Sequence, residues 1–154
     1  MHKMSLLNTI IVTQPSFFYH MGDRYRKGMP PEHLKWIYPL QSFGNHGVMT
    51  VLSSDSPMVP SDPFTGIYTV VTRKDQFALT FSPEESVSTI DALRMYSLFP
   101  AFASFEENRK GSITSGKLAD MALLSDDPTQ VEPEEIKNIK NLLTIIDGKV
   151  VWEA

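Results

Sequence analysis

Residues 51–60 read VLSSDSPMVP. An apolar run, Val48 to Leu52, stops at Ser53 and Ser54 and gives way to Asp55, Ser56-Pro57 and Pro60. A short continuous apolar run of this kind is expected to form a buried strand. The serines and prolines behind it force the chain into a loop. Asp55 therefore stands where a buried strand ends. A carboxylate there is either a turn residue or a functional group at the C-terminal end of a strand, the place where α/β barrels carry their chemistry.

The segments before it set the context. Thr9 to Thr13 (TIIVT) is a β-branched run closed by Gln14-Pro15, and it predicts a first buried strand. Ser16 to Pro30 is read as a loop holding Phe17, Phe18, Tyr19, Asp23, Arg24 and Arg26. Pro31 opens a helix through Tyr38, and a second helix, about Leu40 to His46, ends at Gly47. Strand, helix, strand is the signature of a parallel pair. The fold class that follows is α/β.

After the Asp55 loop, Asp62 caps a helix with Pro63 at its first position. Phe64, Ile67, Tyr68 and Val71 then share one face. Arg73 to Ser82 reads as a linker. Ser88 to Asp91 starts another helix, expected to run through Leu98, with Pro100 breaking it and a further turn over Ala101 to Phe105. From Gly111 the texture changes. Gly111 to Ile113 and Ala119 to Leu124 predict strands around a turn, Glu132 to Lys137 a turn or two of helix, and Asp147-Gly148 a hairpin joining Leu142–Ile146 to Lys149–Trp152. This divides the chain into an α/β part, residues 1–110, and a β module, residues 111–154.

Bulk properties narrow the function classes. Of 154 residues, 42% are hydrophobic and 21% charged, enough for a packed core. The net charge is −4, without a basic run, which argues against nucleic acid as a partner. There is no cysteine, so any metal would be held by His, Asp or Glu. No apolar stretch approaches the length of a membrane span. Met1 to Val12 lacks the pattern of a signal peptide, and the location expected is cytoplasmic.

These segments resemble the amidohydrolase 3 family, metal-dependent hydrolases of the amidohydrolase superfamily. VTQPSFFYHMGDRY is similar to the family's seventh barrel strand and its loop, and SSDSPMVPSDPFTGIYTVVTRK to the eighth. ALRMYSLFPAFASFEENRKGSITSGKLADMALLSDDP is similar to the final helix and the return to the β domain, and IIDGKVVWE to the closing hairpin. The resemblance runs from about Ile10 to Glu153 and covers only the last part of the family's length. It implies the last strands and helices of a (β/α)₈ barrel plus C-terminal strands of a flanking composite β domain. The implied activity is hydrolysis of non-peptide carbon–nitrogen bonds in a small-molecule amide-type substrate, with a divalent metal, zinc, in the full-length family.

The resemblance places Asp55 on the family's aspartate after the eighth strand, a catalytic residue and metal ligand in a completed barrel. The family's histidine ligands have no match in this chain, and His2 is too close to Thr9 to take one of those places. The isolated chain is thus expected to hold no catalytic metal. The other reading is a non-catalytic remnant or interaction module that keeps the shape without the metal site. Arg24 and Tyr25, in GDRY, are candidate substrate contacts, against a plain solvated loop. His20, His33 and His46 lack spaced partners and read as structural or exposed. YPLQSF departs from the family, where arginine is expected at the position of Gln41. Asp120, behind a glycine turn, reads as an organiser of the β module. Lacking most of a barrel, the chain is expected to form a homo-oligomer or to need a missing N-terminal portion.

Overall fold

The computed structural model describes residues 1–154. A short helix α1 (His2–Leu6) leads into strand β1 (Ile10–Thr13). Helices α2 (Pro15–Gly28), α3 (Pro31–Leu34) and α4 (Leu40–Asn45) follow, then strand β2 (Met49–Leu52). The two strands pair in parallel with Ile10 opposite Met49 and Thr13 opposite Leu52. A parallel pair needs a helical crossover, and α2 to α4 supply it.

Helix α5 (Pro63–Thr72) begins as its sequence dictates. The Asp62 carboxylate accepts from the backbone N–H of Phe64 at 3.0 Å and from the Thr65 hydroxyl at 3.0 Å, with Pro63 in the first turn. Helix α6 (Thr89–Tyr96) is likewise capped by Ser88, which accepts from the Asp91 N–H at 3.2 Å. The expected single helix through Leu98 is broken at Ser97 (φ −124°, ψ −72°), and α7 (Leu98–Ala103) takes its place. The proline ring of Pro100 clashes with the carbonyl four residues back, at Tyr96, so the break falls before the proline rather than at it.

Four further expectations are corrected. Ser16 to Pro30 is not a loop but helix α2, started by Pro15 and kinked at Met21 (φ −121°, ψ 15°). Its buried residues are Pro15, Ser16, Phe18 and Gly22, and beyond Phe18 they leave little apolar periodicity to read. The helix expected through Tyr38 stops at Leu34, and Tyr38 itself sits in the left-handed region at φ +50°. Arg73 to Ser82 is not a free linker: Arg73 closes α5 at φ +58°, Lys74 bridges Thr80 antiparallel, and Phe81 is buried. Gly111 to Ile113 forms no strand, and only Met121–Leu124 of the next run pairs, as β3.

Strand β3 lies beside β4 (Asn141–Ile146), which forms a hairpin with β5 (Lys149–Glu153) around Asp147-Gly148. Gly148 has φ +75°, the value such a turn requires. The main core joins the two parts of the chain. Phe64, Ile67 and Val70 of α5 and Met95 of α6 pack with Leu52 at the end of β2. Ile136 and Ile139, from the 3₁₀ segment Pro133–Asn138 and its end, are buried in the same cluster. Glu134 fastens this contact by accepting from the Tyr68 hydroxyl and pairing with Lys74.

A close approach fixes α2 against the chain that follows α5. An ideal Cβ built on Gly22 lies 2.6 Å from Oδ2 and 2.7 Å from Cβ of Asp75, a buried carboxylate paired with Arg26. Gly22→Ala is expected to destabilise the fold by about 2–4 kcal/mol, from overpacking and a disturbed buried ion pair. The midpoint of urea unfolding measures it. A variant as stable as the parent would mean that α2 is free to move away from Asp75.

Candidate active site

The expected position of Asp55 is borne out in space. Pairing runs one residue past β2, where the Ser53 N–H donates to the Thr13 carbonyl at 2.9 Å. The chain then turns. Asp55 adopts φ +58°, a region that aspartate tolerates better than most residues. Its carbonyl accepts from the N–H of Met58 at 3.0 Å. Ser54 supports the turn, its hydroxyl accepting from the Ser56 N–H at 3.2 Å. The Asp55 side chain is exposed and takes part in none of the six ion pairs. It is a carboxylate presented at a strand end and not spent on the fold.

No three His, Asp or Glu groups of the chain come together. His20 lies next to the kink of α2 with its Nε2 buried and unpartnered, His33 is exposed on α3, and His46 Nδ1 lies 2.7 Å from the Ser42 carbonyl. None of them joins Asp55. One carboxylate does not make a metal site. Tested against a catalytic divalent metal, the donors within these residues do not fit.

Arg24 and Tyr25 lie on α2 rather than in a loop. Both line an open cavity of about 650 Å³ at the C-terminal end of the strand pair. Gln14, directly after β1, and Met58, of the Asp55 turn, line it too. Sequence reasoning missed Met58 and Tyr38. The Tyr38 hydroxyl is 3.4 Å from that of Tyr25, and burial pushes it well above the usual tyrosine range, so it stays protonated. The turn that sets Tyr38 is clamped from below. The fully buried Arg73 donates to the carbonyls of Ile37 (2.8 Å), Tyr38 (3.1 Å) and Phe81 (3.2 Å). Burial lowers its guanidinium to about 10, and it remains cationic at neutral pH. Nothing in the spacing of the sequence marked Arg73, because its partners are backbone carbonyls, two of them 35 and 36 residues away.

The other candidates have structural places. Asp120 accepts from the N–H of Asp147 at 2.9 Å and ties β3 to the hairpin turn. Gln41 donates to Asn45 along α4. Phe18 is buried against Phe81. A second cavity, about 510 Å³, lies between α5, α6 and the β3–β4 strands and includes neither α2 nor the Asp55 turn.

An exposed carboxylate thus stands in the turn that leaves a parallel strand, and Met58 of the same turn lines the cavity. Residues 4–152 match the amidohydrolase family, and the chain belongs to it. It is 32% identical, over 98% of its length, to the N-substituted formamide deformylase of Arthrobacter pascens, and covers 28% of that protein. Its structure is similar to an uncharacterized metal-dependent hydrolase from Pyrococcus furiosus (TM-score 0.62, 27% identity, 75% of this chain and 23% of that one). A second such hydrolase, from Pyrococcus horikoshii, shares the fold (TM-score 0.73, 23% identity, 86% of this chain and 27% of that one). The chain spans about a quarter of the length of the curated relatives it matches. No helix is long and apolar enough to cross a membrane.

Proposed function

We propose that this chain is the catalytic-carboxylate segment of an amidohydrolase that cleaves non-peptide carbon–nitrogen bonds. Residues 1–110 are then the last strand–helix units of a (β/α)₈ barrel, and residues 111–154 strands of its flanking β domain. The observation that carries the reading is Asp55, free and exposed in the turn that leaves β2. Asp55 takes a proton from the attacking water and returns it to the leaving amine. Arg24 and Tyr25, on the same end of the strands, contact the substrate. The zinc or other divalent ion of such a hydrolase would draw its remaining ligands from outside these residues.

The test is a chimera in which this chain replaces the matching segment of the Arthrobacter pascens deformylase. Hydrolysis of an N-substituted formamide that depends on Asp55 is expected. A folded chimera indifferent to residue 55 would favour the non-catalytic reading. The 154-residue chain alone, titrated with Zn²⁺ in a calorimeter and dialysed, should retain no stoichiometric metal, since it offers one carboxylate where several donors are needed. A tightly held ion would sink that claim.

The same reading bears on assembly. Strands β1 and β2 form a two-stranded sheet with both outer edges unpaired, and Val12 is 57% exposed. Val150, Val151 and Trp152 on β5 are about half exposed as well. Open apolar edges recruit other strands. The purified chain is expected to self-associate, with light-scattering mass rising with concentration. A mass fixed at one chain across the series would refute it.

A further inference from the structure

We propose that the loop of residues 111–117 is a binding site for a single phosphate group, sharing no residue with the cavity beside the Asp55 turn. The loop reads GSITSGK: glycine, four residues, glycine, lysine. That spacing suits phosphate because backbone N–H groups between the glycines surround the oxygens while the lysine supplies charge. Here the N–H groups of all six residues from Gly111 to Gly116 donate to no acceptor of the chain. The segment that follows is strand β3 and not a helix, and Leu118 stands where a hydroxyl would hold magnesium. The loop therefore fits one phosphate group and not a nucleotide with its metal.

The loop is fixed at its base. Gly111 has φ +88°, and a Cβ on it would lie 2.6 Å from the Ala101 Cβ and 3.0 Å from the Ser97 carbonyl oxygen. The Leu118 N–H donates to the Arg109 carbonyl at 2.8 Å, and the Lys117 N–H to that of Thr114 at 3.1 Å, around Gly116 at φ +91°. The half-buried Lys117 ammonium donates to the Ser112 hydroxyl at 2.8 Å and the Lys110 carbonyl at 3.3 Å, which leaves one of its three N–H groups free. It takes part in none of the six ion pairs. Glu106 is taken by Arg109 and Lys110. Asp147 lines a different cavity, with Arg109 and Lys117. The cavity of about 270 Å³ lined by Ile113, Thr114, Ser115 and Lys117 holds no acidic residue, and Leu118 and Met121 give it an apolar side. A cation without a carboxylate, unspent N–H groups and free hydroxyl capacity meet on a loop whose ends are already ordered, so little ordering cost opposes binding.

The ¹⁵N-labelled chain is titrated with inorganic phosphate at constant ionic strength, with chloride as the control anion. The amide resonances of Gly111 to Gly116 are expected to move saturably in the millimolar range, and chloride should leave them in place. Lys117→Gln keeps an N–H donor and removes the charge, so half-saturation should rise about ten-fold or more. Because Lys117 also pins the loop, Ser115→Glu is the second variant. Ser115 is exposed and its side chain lies at the cavity, so the thermal midpoint should hold while the added carboxylate abolishes the shifts. Phenyl phosphate separates the sources of the group. Tighter binding than inorganic phosphate assigns the site to a phosphomonoester, its ring against Leu118 and Met121, and equal binding assigns it to free phosphate. Shifts spread over exposed lysines such as Lys27 and Lys149, no saturation, or unchanged binding in Ser115→Glu would each overturn the inference. So would a parent chain whose loop resonances ignore phosphate while Lys117→Gln lowers the thermal midpoint, since Lys117 would then only pin the loop.

Discussion

In the chimera with the Arthrobacter deformylase, Asp55→Asn should lower kcat about a thousand-fold and leave the protein folded. A positioned group that moves a proton in the transition state contributes roughly 10²–10⁴-fold. The amide has nearly the shape of the carboxylate but cannot accept the proton of the attacking water. The group is exposed and carries no ion pair, so stability should change by no more than about 0.5 kcal/mol. What holds the turn is the Asp55 backbone carbonyl, bonded to Met58, and asparagine is as tolerant as aspartate of φ +58°. A fall in kcat with little change in KM marks an interaction made chiefly in the transition state. Retention of more than about a tenth of the activity would remove Asp55 from the proton-transfer step.

Replacing Arg73 should cost more stability than any other single change considered. Arg73→Ala leaves three backbone carbonyls, of Ile37, Tyr38 and Phe81, without the donor that now reaches them. It also opens a void, since this is the largest fully buried side chain. Buried acceptors stripped of a charged donor cost about 1–3 kcal/mol each, and the sites are close enough to share part of that cost. A loss of about 3–5 kcal/mol is expected, read as a shifted urea midpoint at constant slope. Arg73→Lys should recover only part of it, because one ammonium cannot reproduce the planar fork that spans three carbonyls. Equal stability of Arg73→Ala and the parent would show that the turn at Tyr38 holds itself.

The parts of the fold that sequence made legible share a local cause. The cap at Asp62, the hairpin at Asp147-Gly148 and the strands on either side of the crossover are set by neighbours a few residues apart. Asp55 was legible for the same reason, because a strand end followed by Ser and Pro is a local signal. Helix α2 was not, since its buried face includes Gly22, which is there because Asp75 leaves no room for a side chain. That constraint comes from across the fold. Tyr38 and Arg73 were opaque for the same reason, and so was the cavity: its walls are assembled from residues 14 to 58, brought together only by the crossover. The placing of Arg24 and Tyr25 near the strand ends was readable, while their setting on a helix was not.

The packing of the 3₁₀ segment Pro133–Asn138 on α5 has a consequence for synthesis. Tyr68 meets Glu134 across a separation of 66 residues, and Ile136 and Ile139 complete the apolar face of α5. As the chain leaves the ribosome, α5 is made long before the last of the residues that cover it. The part of its face that Ile136 and Ile139 cover stays open until residue 139 has emerged, and pairings of such long range close late. During that interval the nascent chain exposes apolar surface of the kind that chaperones bind. A ribosome stalled before Ile136 would carry a chain whose core cannot yet close, whatever the quality of the β1–β2 pair already formed.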